Sequence, residues 1–275
     1  MDAKIIYCSF LAWPDFFKKF FTFIFTTGYV PHFLEFSKLI LLSKPNKPAY
    51  TVNSYRPICL APYFSKILDK FLLHRLMFHL HNFSPISDYQ FGFLDNRNTE
   101  QALNFIIKTL HRFKSTFKYV AVIAADISAA FDSIRFDDIH DALISRGINK
   151  SFVKLIMSLI SARILIFYHP TAVIYINTTK GVPQGSSIAP ILWNLVLDTL
   201  LRVPLPNNIM LSAYADDISL VIAGNTRKNL EMVGNNALAK LLFWTNSKDL
   251  TGDNLKVWYH TVIERIIVYA ASVWG

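Results

Sequence analysis

The chain is short of cysteine, of long apolar runs and of acidic residues, and each shortage closes off a class of protein. Two cysteines in 275 residues, Cys8 and Cys59, cannot build a disulfide framework or a Cys/His zinc site, and the eight histidines show no ligand spacing. No continuously apolar run reaches the roughly 18 residues that a membrane span needs, so none is expected. The apolar stretch Ile5–Trp13 follows Lys4 in the manner of a secretory leader, but no small-residue cleavage site comes after it, and the next residues are Pro14-Asp-Phe-Phe-Lys-Lys19. These features predict an intracellular protein, nuclear or cytoplasmic, without signal peptide or transmembrane segment.

The acidic shortage leaves a formal charge of +9, from 28 Lys and Arg against 19 Asp and Glu. The excess is uneven: Lys38 to Lys118 carries 12 basic against 4 acidic side chains. A polyanion is the natural partner of such a segment. Lys44, Lys47 and Arg56 stand beside Pro-rich turns rather than at helical spacing, which favours contact with phosphate over a merely solvated face. With 52% hydrophobic and 15% aromatic residues the chain is rich enough in core-forming side chains to exclude disorder.

Periodicity lays out the elements. Asp15 to Thr26 reads as an amphipathic helix stopped by Gly28 and Pro31, and Phe33 to Leu42 as extended chain. Ser43 to Ser54 is a loop full of Pro and Asn. Phe64 to Phe83 places Ile67, Leu68, Phe71, Leu72, Leu76 and Leu80 at helical intervals, and Thr99 to Phe113 repeats the pattern. After the strand-like Tyr119–Ala125, helices are expected near Phe136 to Arg146 and Ser151 to Ile160. A strand pair, Ile164 to Tyr168 and Ala172 to Asn177, follows around His169-Pro170.

Chemistry enters at two strand ends. Tyr214-Ala-Asp216-Asp217 sits inside the apolar stretch Ile209–Gly224, so two adjacent carboxylates occupy the tip of a tight hairpin. Burying ionised carboxylates side by side costs several kcal/mol without a compensating cation. A bare Asp-Asp turn is usually no more than a polar turn. What argues otherwise is Asp126, which ends the apolar run Tyr119–Ala125 and lies 90 residues upstream of Asp216. Between them Lys180-Gly-Val-Pro-Gln184-Gly-Ser-Ser187 opens a helix running to about Leu201, a turn whose glycines let backbone approach a ligand closely.

Asp126-Ile-Ser-Ala-Ala-Phe131-Asp, Gly181-Val-Pro-Gln-Gly-Ser and Tyr214-Ala-Asp-Asp, in this order, resemble motifs A, B and C of a reverse transcriptase. Upstream, Ser43-Lys-Pro-Asn-Lys-Pro48, Ser54-Tyr-Arg-Pro-Ile-Cys-Leu60 and Gln90-Phe-Gly-Phe93 resemble finger motifs of the non-LTR retrotransposon enzymes, the jockey-like group in particular. The likeness runs from about Gly28 to about Trp244. It implies an α+β right-hand polymerase fold, with fingers over about 15–118 and a β-α-β-β-α-β palm, helices on one face, over about 119–245. Residues 246–275 would be a truncated thumb or downstream remnant, so that the thumb is largely missing.

The resemblance also assigns roles. Asp126, Asp216 and, in support, Asp217 would be catalytic and would hold two Mg²⁺, with Mn²⁺ as the alternative ion, and the backbone carbonyl of Ile127 would complete one coordination sphere. Phe131 would lie under the sugar and select deoxynucleotides. Gln184 and Gly185 would lie against the nascent base pair, and Arg56 would reach the β- and γ-phosphates, a duty for which Lys44 and Lys47 compete. The partners implied are an RNA template, a DNA primer and dNTPs, and the activity is RNA-directed DNA polymerisation. The alternative is a remnant that binds nucleic acid without catalysis.

Departures from the family qualify this. Ala237–Leu250 begins the expected Trp-containing helix, but the expected strand does not follow. Leu255–Gly275 resembles instead a segment found well beyond the palm, as if a deletion joined the two near Thr251 to Asn254. Loss of the primer-gripping hairpin is the expectation. There is no room for an endonuclease before Asp15 and no acidic cluster of RNase H type after the palm, so self-sufficient transposition is not expected.

Overall fold

The computed structural model describes residues 3–45, 51, 54–127 and 129–250, together with the backbone of 255–260. In chain order the helices are α1 (Ala3–Ala12), α2 (Pro14–Thr27), α3 (Tyr63–Phe83), α4 (Thr99–Thr116), α5 (Ala130–Ser133), α6 (Phe136–Ser145), α7 (Lys150–Ser161), α8 (Ala189–Leu201) and α9 (Arg227–Ser247). The strands are β1 (Phe36–Ser43), β2 (Tyr55–Leu60), β3 (Tyr119–Ile127), β4 (Ile164–His169), β5 (Ala172–Asn177), β6 (Ile209–Tyr214), β7 (Asp217–Gly224) and β8 (Leu255–His260). They form two compact units that do not follow chain order: Met1–Pro85 with Ile134–Leu192, and Ile86–Ser133 with Trp193–Gly275.

The first unit is built on a sheet of order β2-β1-β4-β5. β1 pairs antiparallel with β2 and parallel with β4, from Phe36 opposite Ile164 to Lys38 opposite Ile166. The expected hairpin β4–β5 therefore forms, but it extends this sheet and does not join the palm strands. Pro57 fits the edge position of β2, since proline cannot donate to a ladder on both sides. In α3, Leu68, Leu72, Leu76 and Leu80 are buried at a spacing of four, as their periodicity predicts, whereas Phe71 is 46% exposed. Phe17 and Phe21 of α2 meet Phe64, with the Phe17 and Phe64 rings stacked at 5.4 Å. α1 is an addition to the sequence reading: the stretch compared with a secretory leader is a helix that leaves Tyr7, Phe10 and Leu11 exposed.

The second unit is an antiparallel sheet of order β6-β7-β3-β8. Its helices cover both faces, not one. Leu110 and Phe113 of α4 pack on Val120, Val221 and Ala223, while Gly234 of α9 abuts Ile222, whose side chain alternates to the other face. Double coverage explains why β7 is buried along nearly its whole length and reads as a continuous apolar run. α4 starts at a capping box between Asn98 and Gln101. A strand does follow α9, contrary to the sequence expectation: Leu255–His260 pairs antiparallel with β3, Asp126 lying opposite Lys256. The alternation Leu255-Lys-Val-Trp-Tyr-His suits a strand, and β3 offers an open edge to receive it. Thr251–Asn254, the expected seam, and 261–275 lie outside the described residues.

Burial in α3 makes a measurable distinction. Leu72→Ala is expected to cost about 2–5 kcal/mol of unfolding free energy, and Phe71→Ala, one position earlier but half exposed, markedly less. Urea unfolding of both variants checks this; equal losses would place α3 the wrong way round.

Candidate active site

β6 and β7 are joined by a two-residue turn, Ala215-Asp216, with Tyr214 opposite Asp217. Ala215 has φ +59° and Asp216 does not share a positive φ, the pattern of a type II′ turn whose first position favours glycine. An alanine held there is strained backbone, and something has to hold it. The antiparallel register of β3 and β7 then sets Asp126 directly opposite Asp217. Opposed residues of an antiparallel pair project on one face, with Cα atoms about 4.5–5.5 Å apart. The sheet thus delivers Asp126, Asp216 and Asp217 to one end, as the two acidic strand ends predicted.

The three carboxylates feel one another. Asp217 is pushed up to about 6, first by burial and then by the negative charges of Asp216 and Asp126. Asp216 is also raised, chiefly by burial, with a hydrogen bond from its own backbone opposing and the Asp126 charge adding. Among the described residues no group of three or more His, Cys, Asp or Glu side chains is arranged to hold a metal ion by itself. Oxygen donors that repel one another at the open end of a sheet fit a hard divalent cation that completes its sphere with water and phosphate oxygens. Ile127 ends β3 with its side chain fully buried, and, having no side-chain donor, it could offer an ion only its backbone carbonyl.

Phe131 sits in the short helix α5, half-buried, with Phe93 edge-on at 5.7 Å and the Trp193 ring at 6.2 Å. Trp193 also donates its indole N–H to the carbonyl of Ala215 at 3.3 Å, so one side chain touches both the aromatic position and the acidic turn.

The remaining predicted residues belong to the first unit. Gln184 and Gly185 lie in the loop before α8, where the Cys59 N–H of β2 donates to the Gln184 carbonyl at 2.9 Å. Gly185 has φ +110°, and a Cβ there would stand 3.0 Å from the Cys59 carbonyl oxygen, so glycine is required on two counts. Asp69 of α3 holds this loop from below: its carboxylate accepts from the Ser186 hydroxyl at 2.7 Å and from the Ser187 N–H. Burial raises the Asp69 pKa against those two bonds and the nearby charge of Arg163. Sequence reasoning missed Asp69; the available signal was a carboxylate four residues after Ser65, on the stripe that also buries Leu72 and Leu76. Arg56 is exposed on β2 opposite Leu42, and Lys44 is half-buried just past β1, its N–H bonded to the Ser54 carbonyl. Lys47 lies outside the described residues.

The antiparallel sheet that carries two acidic strand ends to one edge suits the palm of a right-hand polymerase fold, and three comparisons bear on it. Residues 42–257 match the family described as Reverse transcriptase (RNA-dependent DNA polymerase), and the chain belongs to that family. It is 30% identical over 234 residues to the putative 115 kDa protein in the type-1 retrotransposable element R1DM of Drosophila melanogaster, covering 85% of this chain and 22% of that protein. It is 26% identical over 215 residues to the RNA-directed DNA polymerase from mobile element jockey of Drosophila funebris, covering 72% of this chain and 22% of the relative. The chain thus spans about a fifth of the length of these relatives. In fold it is similar to apo telomerase from Candida tropicalis truncated from its C-terminal domain, with a TM-score of 0.62 at 13% identity over 85% of this chain and 51% of that one. The α+β right-hand fold and the non-LTR family expected from the motifs both hold.

The raised carboxylates fix a pH response. Because Asp216 and Asp217 bind protons more tightly when folded than their ordinary value of 3.8, the folded state holds more protons between about pH 4 and 6. Stability of the metal-free protein therefore falls as pH rises through that window. Screening at half-buried positions limits the effect to ~1 kcal/mol, or about 2–4 °C in Tm. In EDTA, Asp217→Asn should melt higher than the wild type at pH 7.5 and equally at pH 4. A difference that persists unchanged at pH 4 would contradict the assignment.

Proposed function

We propose that this chain adds deoxynucleotides to the 3′-hydroxyl of a DNA primer paired to an RNA template, as an RNA-directed DNA polymerase. The observation that carries the reading is the register that sets Asp126 opposite Asp217, with Asp216 in the adjoining turn. Fingers over about 15–118, a palm over about 119–245 and a remnant over 246–275 are the domain reading. Work in the nucleus or the cytoplasm fits it, and among the described residues no helix is long and apolar enough to cross a membrane.

Asp126 and Asp216, with the Ile127 carbonyl and Asp217 in support, would hold two Mg²⁺, or Mn²⁺ in their place. When bound, such ions would stabilise the attacking and departing oxygens of an in-line displacement. The chain's own residues orient what reacts. Phe131 closes the space beneath the sugar against a 2′-hydroxyl. The Gln184 amide and the Gly185 backbone lie along the new base pair. The Arg56 fork takes two oxygens of the β- and γ-phosphates, with Lys44 or Lys47 in a similar duty. Basic residues between Lys38 and Lys118 follow the nucleic-acid backbone. Binding without catalysis is the weaker reading, because all three aspartates are present and grouped.

Primer extension on an RNA template with dNTPs and Mg²⁺ tests this. The wild type should synthesise DNA, and Asp126→Asn and Asp216→Asn should each lower the rate by several orders of magnitude while the circular dichroism spectrum stays unchanged. A variant that kept near-full synthesis would remove its residue from the site. In the same assay Phe131→Ala should raise ribonucleotide use relative to deoxynucleotide by about 10–200-fold, the range of a small steric release. Unchanged discrimination would make Phe131 a core residue.

A further inference from the structure

We infer that Gln90 is the positioning residue of the acidic turn: its fully buried amide clamps both backbone groups of Ala215 and so sets the direction in which Asp216 leaves the sheet. This rests on the reading of Asp216 as a metal ligand. Ala215 lies outside the β6–β7 ladder, so its N–H and C=O need partners elsewhere. Gln90, with no exposed surface, supplies them from one side chain. Its Oε1 accepts from the Ala215 N–H at 3.1 Å and from the Gly92 N–H at 2.8 Å, and its Nε2 donates to the Ala215 carbonyl at 3.2 Å. The amide is used at both ends, a geometry that a carboxylate or an apolar side chain cannot copy.

The frame around Gln90 is equally fixed. Residues 89–91 run beside β6 as a short parallel bridge, the Ala213 N–H donating to the Tyr89 carbonyl and the Phe91 N–H to the Ala213 carbonyl, both at 2.8 Å. The Arg97 guanidinium donates to the carbonyls of Ser87 and Gln90. Asn194 donates to the Gly92 carbonyl at 2.9 Å. A Cβ on Gly92 would stand 2.1 Å from the Ala215 nitrogen, so the two backbones touch with no room for a side chain. Gln90 thus transmits a rigid edge of the second unit directly to a strained alanine beside the catalytic carboxylate.

The test is Gln90→Met, which keeps the volume and removes the amide, beside Gln90→Glu, whose carboxyl keeps an acceptor for both N–H groups. Hydrogen exchange on the protein without substrates reads the clamp. In Gln90→Met the Ala215 amide should exchange on the order of 100-fold faster, with Leu220 and Val221 at the centre of β7 unchanged, and in Gln90→Glu Ala215 should stay closer to wild type. In primer extension, kcat should fall about 10–100-fold and the Mg²⁺ concentration for half-activation should rise, with the dNTP KM little changed. Ala215 exchange at the wild-type rate in Gln90→Met, or an equal acceleration along all of β7, would overturn the clamp. Exchange needs no turnover: a wild type that extends no primer would sink the polymerase reading, while the Ala215 rates would still decide the role of Gln90.

Discussion

Mutual repulsion among Asp126, Asp216 and Asp217 is the constraint around which the second unit is built. A cross-strand register and a two-residue turn bring the three carboxylates to one end of the sheet, and partial burial removes part of the water that would otherwise screen their charges. A sheet covered on both faces by α4 and α9 provides the rigidity that such an arrangement demands, because a flexible hairpin would simply splay. On the proposed reading, cations bound at this point would offset the cost of that repulsion in stability.

Two scaffolds of opposite character hold the acidic turn and the Gln184-Gly185 loop. The acidic turn is gripped by neutral groups, the Gln90 amide and the Trp193 indole, which add no charge to an already crowded electrostatic site. The Gln184-Gly185 loop is gripped by a buried carboxylate, Asp69, whose charge is answered by a hydroxyl, a backbone N–H and Arg163. A negative clamp beside Asp216 would add to the repulsion there, whereas the Asp69 carboxylate faces donors and the Arg163 charge.

Much of this was legible in the residue order. Apolar runs that stop at Asp126 and flank Asp216-Asp217 announce strand ends, and the spacing of Leu68, Leu72, Leu76 and Leu80 announces a buried helix face. What the sequence hid is long-range pairing. Nothing local in Ile164–Asn177 says that the hairpin chooses β1 over the palm strands, or that Leu255–His260 closes the other edge of β3. The two-sided burial of β7 could have been read from its lack of alternation, which tells against helices on one face. The motif that holds Gln90 was legible but its role was not, and Asp69 escaped altogether, because the partners that reveal both, Ala215 and Ser186, lie more than 100 residues away.

On the proposed reading the three aspartates form a cation site at the end of the β3–β7 ladder. Anomalous diffraction at the manganese edge, from crystals of the protein grown with primer–template, a dNTP and Mn²⁺, tests it most directly. Density is expected between the carboxylates of Asp126 and Asp216, with Asp217 beside it, and none in an Asp126→Asn crystal. Manganese bound elsewhere, with the three aspartates bare in an otherwise complete complex, would contradict it.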